Sequence, residues 1–408
     1  MSEKCLTAVE INQDLCSRCF VCHSICPYEA INYDEEADKV EIDIQKCQVC
    51  GICYSACPAA AVKMAYYDYD TLSDYVDCAR KKIGGDTLVL MCRGNSPSTC
   101  EVEEILADQG LNIKNYVPLR LPCSGRVPTD FIFRNLNSGV KSIVSIQCED
   151  KFCRFKEGTK INTRRFQLSK NVLGQLGFDE NALKVVKYSR KAVYNTDECV
   201  GCDKCVFICP YDAIKAEPFS TPTIVDEDCM GCGACALVCP HKAIEVKGFE
   251  FENVLQRYCQ AAATMKVRGN APAVLVFSCQ WSEFSALDNP ASVLKGRNAV
   301  VLEVPCFKGM DPVHVVNALQ CGFDGVMGVV CAADDCKLNE GRDISERNLG
   351  VLKDVLKKMK LLDRFELFEL SPRDEGEFGS KFDSFYQKIA ALPQCVVVKA
   401  EAKVKRTK

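Results

Sequence analysis

CSRCFVCHSICP, residues 16–27, decides how this chain is read. It separates Cys16, Cys19 and Cys22 by two residues each and Cys22 from Cys26 by three, with Pro27 directly after. The same spacing returns as CQVCGICYSACP (47–58), CVGCDKCVFICP (199–210) and CMGCGACALVCP (229–240). Outward from these runs, the chain has 408 residues, of which 30 are cysteine, far too long for the small secreted scaffolds where such density is usual. The balance of 51 basic and 55 acidic residues excludes the basic footprint of a nucleic-acid binder. Three histidines (His23, His241 and His314) are too few for imidazole-based zinc or acid–base chemistry to dominate. The opening MSEKCLTAVEINQDLC is charged and lacks the apolar core of a signal peptide, and the longest apolar run, GVMGVVCAA (325–333), has the length of a strand. A cytoplasmic protein is expected, in a compartment where disulfides are rare and so many thiols need another use.

The runs supply that use. Three closely spaced thiolates wrap one iron–sulfur cube, and the fourth, before proline, leads to the neighbouring cube in two-cluster ferredoxins. On this rule Cys16, Cys19, Cys22 and Cys57 hold one [4Fe–4S] cluster and Cys47, Cys50, Cys53 and Cys26 a second. Cys199, Cys202, Cys205 and Cys239 hold a third, and Cys229, Cys232, Cys235 and Cys209 a fourth. Each run continues into a small apolar pair, Ala30-Ile31, Ala61-Val62, Ala213-Ile214 or Ala243-Ile244, expected to start a short strand. Four-thiolate zinc, the alternative, usually shows paired CxxC motifs rather than a triple run ending in CP.

The other 14 cysteines are sorted by comparing the two halves. Cys16 and Cys199 lie 183 positions apart, as do Cys123 and Cys306, Cys148 and Cys331, and Cys153 and Cys336; Cys92 and Cys279 lie 187 apart. The chain is an internal duplication. After each pair of runs come short apolar segments that carry a cysteine at their carboxyl end: TLVLMC to Cys92, NYVPLRLPC to Cys123 and SIVSIQC to Cys148, then AVLVFSC to Cys279, NAVVLEVPC to Cys306 and GVMGVVC to Cys331. Helical patterns intervene at 128–139, 311–322 and 345–360, so strand and helix alternate as in a doubly wound parallel sheet. Ligands of such sheets sit outside the carboxyl ends of the strands, where these sulfurs would gather. Cys92, Cys123, Cys148 and Cys153 in one half, and Cys279, Cys306, Cys331 and Cys336 in the other, suit a [2Fe–2S] cluster each, with four-thiolate zinc as the alternative. The expected architecture is α+β ferredoxin-like domains (1–70 and 193–250) alternating with α/β doubly wound parallel-sheet domains (71–192 and 251–400).

The cubane runs look like bacterial-type two-cluster ferredoxin domains. The stretches LPCSGRVPTDFIFRNLNSGVKSIVSIQCEDKFCRFKEGT (121–159), CQW (279–281) and VPCFKGMDPVHVVNALQCGFDGVMGVVCAADDCKLNEGR (304–342) resemble the methyl-viologen-reducing hydrogenase delta-subunit family. The resemblance implies a small α/β domain with one [2Fe–2S] cluster. It also implies electron carriage between an oxidising enzyme, hydrogenase or formate dehydrogenase, and a heterodisulfide-reductase-type flavoprotein complex; related domains occur beside benzoyl-CoA reductases. The family's CxxC at the first strand is absent, since Asn95 and Ser282 hold the second position. Its histidines beside the last two cysteines are replaced by Glu149 and Arg154, and by Ala332 and Lys337, which changes the charge that tunes cluster potential.

The remaining features are assigned bland roles. His23 reads as an exposed polar residue, His314 as a structural one, and Trp281 as a cluster shield or core. Cys78 and Cys259, 181 apart, read as buried free thiols; Cys5, Cys100, Cys321 and Cys395 have no repeated counterpart. Gly84-Gly85 and Gly231-x-Gly233 do not form a nucleotide loop. The tail AEAKVKRTK reads as a charged terminus. The expectation is an electron-transfer subunit with four [4Fe–4S] and two [2Fe–2S] clusters, no catalytic residues of its own and no nucleic-acid or membrane partner. It would work in a hetero-oligomeric complex with a heterodisulfide-reductase-like flavoprotein, a hydrogenase, a formate dehydrogenase or another reductase. The rivals are a reductase with a thiol, disulfide or thioester site at an exposed cluster, for which the unmatched Cys100 is the candidate, and a freely diffusing polyferredoxin.

Overall fold

Runs such as TLVLMC and SIVSIQC have apolar residues at consecutive positions, so both faces of their strands must be covered. A computed structural model describes residues 8–64, 68–93, 97, 101–217, 220–265, 271–279, 294, 296–332, 336, 338, 341–371, 373 and 377–395. In the first half, Tyr116–Leu121, Thr87–Cys92, Ser142–Cys148 and Leu183–Tyr188 lie side by side in that order, all parallel. In the second, Ala299–Val304, Val274–Cys279, Gly325–Cys331 and Phe365–Leu370 repeat the order. Leu88, Val89, Ile143 and Val144 are wholly enclosed, as are Val274, Leu275, Val326 and Met327. Each such side chain contributes about 1.5–3 kcal/mol by leaving water.

Helices Tyr69–Ile83, Thr129–Asn137 and Gly158–Gln175 cover one face of the first sheet, and Phe251–Met265, Val313–Cys321 and Gly341–Lys358 cover the matching face of the second. The opposite faces are covered by further helices. In the first half the cover is Val102–Asp108, inserted between the first two strands, which buries Val102, Ile105 and Leu106 against Val89 and Val144. In the second half it is Glu377–Ala391 at the end of the fold, with Phe378, Phe382 and Phe385 against Val274 and Met327.

Two small units precede the sheets. In one, Val9–Ile11 pairs with Val62–Met64 and Ile31–Asp34 with Lys39–Ile42, both antiparallel. In the other, Ala192–Tyr194 pairs with Ile244–Val246 and Ile214–Lys215 with Thr223–Ile224. Ile31, Val62, Ile214 and Ile244 each open a strand, as their Ala-Ile or Ala-Val signatures predict.

The structure corrects two readings of the remaining cysteines. Cys259, on Phe251–Met265, forms a disulfide with Cys321, the last residue of Val313–Cys321. These helices pack together, and Ser138 stands 183 positions before Cys321, so the first half cannot form the same bridge. Cys78 is exposed rather than buried. Cys395 is half-buried, whereas Cys5, Cys100 and Trp281 lie outside the described residues. Among the described residues no helix is long and apolar enough to cross a membrane.

The halves are joined through the edge strands of the two sheets. Glu303, on Ala299–Val304, pairs with Arg120, on Tyr116–Leu121, and with Arg93 at 3.5 Å. Arg120 also donates to the Pro97 carbonyl at 2.9 Å. Burial pushes the Glu303 carboxyl up, but Arg120, Arg93 and Arg190 together hold it below the usual glutamate value. The stability this carboxylate contributes is full above the ordinary glutamate pKa of about 4.3 and is lost as pH falls past it. Glu303→Ala leaves the arginines without their half-buried anion and should cost about 1–3 kcal/mol in chemical denaturation. Removing Glu104 from its exposed pair with Lys247 should cost no more than about 1 kcal/mol.

Candidate metal centres

In all four runs the backbone curls in the same way. The residue before the second cysteine is left-handed in each: Arg18, Val49, Gly201 and Gly231. So is the residue after it: Phe20, Gly51, Asp203 and Gly233. Three residues past the fourth cysteine, Glu29, Ala60, Asp212 and Lys242 repeat the sign. Left-handed backbone is costly for side chains such as Val49, and strain of this kind persists where the surroundings impose it. Here it turns each run around a centre and starts the five-residue helices Val21–Ile25, Ile52–Ala56, Lys204–Ile208 and Ala234–Val238.

The curl collects sulfur. Cys22 lies within electrostatic reach of Cys57, Cys16 and Cys19, and Cys53 within reach of Cys50, Cys47 and Cys26. Cys235 has Cys232, Cys229 and Cys209 around it. One cavity is walled by Cys26, Cys47, Cys50 and Cys53, and another by Cys199, Cys202, Cys205 and Cys239. Among the described residues no three His, Cys, Asp or Glu side chains converge at the spacing of a single metal ion. The sulfurs wall cavities instead. Backbone N–H groups point at them: Ala30 donates to Cys26 Sγ (3.5 Å), Ala61 to Cys57 (3.3 Å), Ala213 to Cys209 (3.4 Å) and Ala243 to Cys239 (3.2 Å). The alanine after each CP thus has a role beyond starting a strand.

A second gathering lies at the carboxyl ends of the sheets, at the place where strand order reverses. Cys92 and Cys148 end adjacent strands with their sulfurs 3.5 Å apart, and Cys279 and Cys331 repeat this at 3.9 Å. Cys123 and Cys153 complete the first set, Cys306 and Cys336 the second. The Cys92 thiol faces the Pro122 carbonyl (3.9 Å) and the Cys279 thiol the Pro305 carbonyl (3.8 Å), so the two sites are built alike.

Burial favours the protonated form at several of these thiols. It pushes Cys50 up to about 12 and Cys53, Cys123 and Cys235 well above the ordinary thiol value. Cys148 and Cys331 rise through contact with Cys92 and Cys279, whereas Cys336, accepting from Cys331, falls to about 6. A bound cationic centre must displace those protons, which fits soft thiolate chemistry with iron.

Residues 88–200 and 274–393 match the family model of the methyl-viologen-reducing hydrogenase, delta subunit, over more than half of the chain. The chain belongs to the methyl-viologen-reducing hydrogenase delta-subunit family. Residues 15–61 and 189–246 match 4Fe-4S dicluster domains, so the delta-subunit units of this chain stand beside iron–sulfur domains of the four-iron type. One subunit of the ferredoxin:CoB-CoM heterodisulfide reductase of Methanosarcina mazei is 31% identical over 203 residues, 48% of this chain and 25% of that protein. The iron-sulfur subunit of the F420-non-reducing hydrogenase of Archaeoglobus profundus is 34% identical over 67 residues, 16% of this chain and 49% of that one. The corresponding vhc iron-sulfur subunit of Methanococcus voltae is 24% identical over 142 residues, 33% of this chain and 94% of its own length. The chain spans about a quarter of the heterodisulfide reductase subunits it matches.

Between dicluster and delta-subunit units each half encloses a cation that sequence reasoning passed over. Arg126 is buried beside Gly51 in the first half, and Lys308 is fully buried in the second. Arg126 lies within electrostatic reach of Cys50, and Lys308 of Cys232, Cys306 and Cys336. The signal was a cation two or three residues after each PC. His314 stacks on Phe251 and meets the Tyr258 hydroxyl at 3.1 Å; burial takes it down to about 4, leaving a neutral ring. His23 is exposed, its Nδ1 2.5 Å from the Ile31 carbonyl. Gly158 lies against two tip sulfurs: a Cβ there would collide with Cys123 Sγ and sit 3.6 Å from Cys153 Sγ. Gly341, 183 positions on, was the sequence trace of this requirement. Gly158→Ala should cost about 1–3 kcal/mol in chemical denaturation. Gly350→Ala, in a helix with open space around it, should instead be neutral or stabilise by up to about 1 kcal/mol.

Proposed function

We propose that the chain is an electron-transfer subunit that carries four [4Fe–4S] and two [2Fe–2S] clusters on the 24 cysteines named above. The observation that carries the reading is convergence: cysteines far apart in sequence meet in sets of four, and the sets recur in both halves. The two-cluster units are residues 1–70 and 193–250 and the two-iron units 71–192 and 251–400. Each cluster, when bound, takes up and releases an electron. The chain's own work is to exclude water, hold the thiolates, and aim N–H groups and enclosed cations at them. Donors of this kind stabilise the more negative, reduced state and so set potential.

The relatives are described as subunits of a heterodisulfide reductase and of F420-non-reducing hydrogenases, which supports a place in a hetero-oligomeric complex of that type. There the chain would pass electrons between a hydrogenase- or formate-dehydrogenase-type enzyme and a heterodisulfide-reductase-like flavoprotein. A reducing cytoplasm belongs to the reading, because the ligand thiols must not oxidise before iron arrives.

Anaerobic purification should return about 20 irons per chain, the total for four four-iron and two two-iron clusters, with paramagnetic signals of both types on reduction. Cys22→Ser should remove one cube and leave the two-iron signals in place. Zinc in place of iron at either set would overturn that part of the assignment.

A further inference from the structure

The two halves do not meet as the ends of a line. Within the first half, Cys50 packs with Cys123 and Phe155 in one apolar cluster, so the second cubane run touches the tip site of its own sheet. In the second half Gly233, next to Cys232, is pressed on Gly309, and one cavity has both Cys232 and Cys306 in its wall. Each inner cubane run therefore borders the tip site that follows it.

Each also meets the carboxyl edge of the other half's sheet, where the last strand runs beside a tip cysteine (Cys148 pairs with Tyr188, Cys331 with Leu370). Lys151, two residues before Cys153, pairs with Asp228 at 3.0 Å, next to Cys229. Lys191 sits 3.6 Å from the ring of Phe152 and donates to the Cys229 carbonyl at 3.2 Å. A Cβ on Gly231 would stand 2.6 Å from the Arg190 carbonyl. Arg190 follows the last strand of the first sheet, and 183 positions later Arg373 follows the last strand of the second. Arg373 donates to the Gln45 carbonyl at 3.1 Å, although 328 residues separate them. Its charge reaches Cys47.

We infer that the four inner sites form a closed ring, and that the two outer cubes, with their exposed Cys19 and Cys202, are spurs on it. The order around the ring is the cube of Cys47, the tip of Cys123, the cube of Cys229, the tip of Cys306, and back to Cys47. Each inner cube is a junction with three neighbours, and two routes connect the spurs. The inference rests on the cluster assignment proposed above.

The test uses the full chain, reconstituted anaerobically with iron and sulfide and then reduced. In a Cys306→Ser background the two-iron signal of the Cys92/Cys123/Cys148/Cys153 site stands alone, and its microwave power for half-saturation reports nearby cubes. The ring requires that power to fall severalfold when the cube of either half is removed, by Cys50→Ser with Cys53→Ser or by Cys229→Ser with Cys235→Ser. No fall with one of these pairs, on protein that retains its two-iron signal, overturns the ring alone. No two-iron signal before any substitution overturns the cluster assignment, and the ring with it. Arg373→Gln tests the contact with every thiol in place: the ring requires one cube potential to move downward through loss of a cation held by the opposite sheet. Four unchanged cube potentials overturn it.

Discussion

A thiol enclosed by protein resists ionising, and the structure depends on how that resistance is overcome. Cys50, Cys53, Cys123 and Cys235 sit where burial drives the proton onto sulfur, yet a thiolate is the form that binds iron. Four such charges in one cavity would repel one another without a cationic centre between them. The surroundings are built to ease this: left-handed turns aim backbone N–H groups inward, and Arg126 and Lys308 are enclosed beside the inner runs. Both enclosed cations stand within electrostatic reach of these sulfurs, Arg126 of Cys50 and Lys308 of Cys232, Cys306 and Cys336.

Duplication preserved that electrostatic arrangement without preserving the residues. In the first half Gly125 precedes the buried Arg126; in the second the cation is Lys308 and the glycine is Gly309, so cation and glycine have changed places. Both orders let a loop press closely on the neighbouring cubane run while a positive charge stays enclosed. What each half retains is a parallel sheet with sulfur at its switch point and a dicluster unit against that edge.

The contacts between halves show why a fused pair differs from two separate copies. Arg93 and Arg120 share Glu303 across facing edge strands, and Arg190 and Arg373 each reach from one sheet to the other half's cubane run. A lone half would expose these arginines and leave one flank of its inner run open. Covalent linkage holds the partner surfaces at high effective concentration, so individually weak exposed pairs such as Lys151–Asp228 can act together.

The sequence by itself determined the repeat and the kinship of the cysteine runs with four-iron domains. Cysteine spacing is a local property, because three thiols with two residues between each converge through a short curl of backbone, and four copies of that spacing are visible without any fold. Apolar runs ending in cysteine likewise foretold parallel strands with sulfur at their carboxyl ends, since burial on both faces is written into consecutive residues. Other features depended on contacts between residues far apart in the chain. Cys259 meets Cys321 because two helices cover one sheet face, and sequence comparison had left both without a partner. Arg373 reaches Gln45 because the two halves close on each other. Neither contact leaves a periodic trace, for an interaction across 62 or 328 residues is chosen by packing geometry rather than by local spacing. The residues could say which atoms would hold charge; only the tertiary structure decided which of those sites are neighbours.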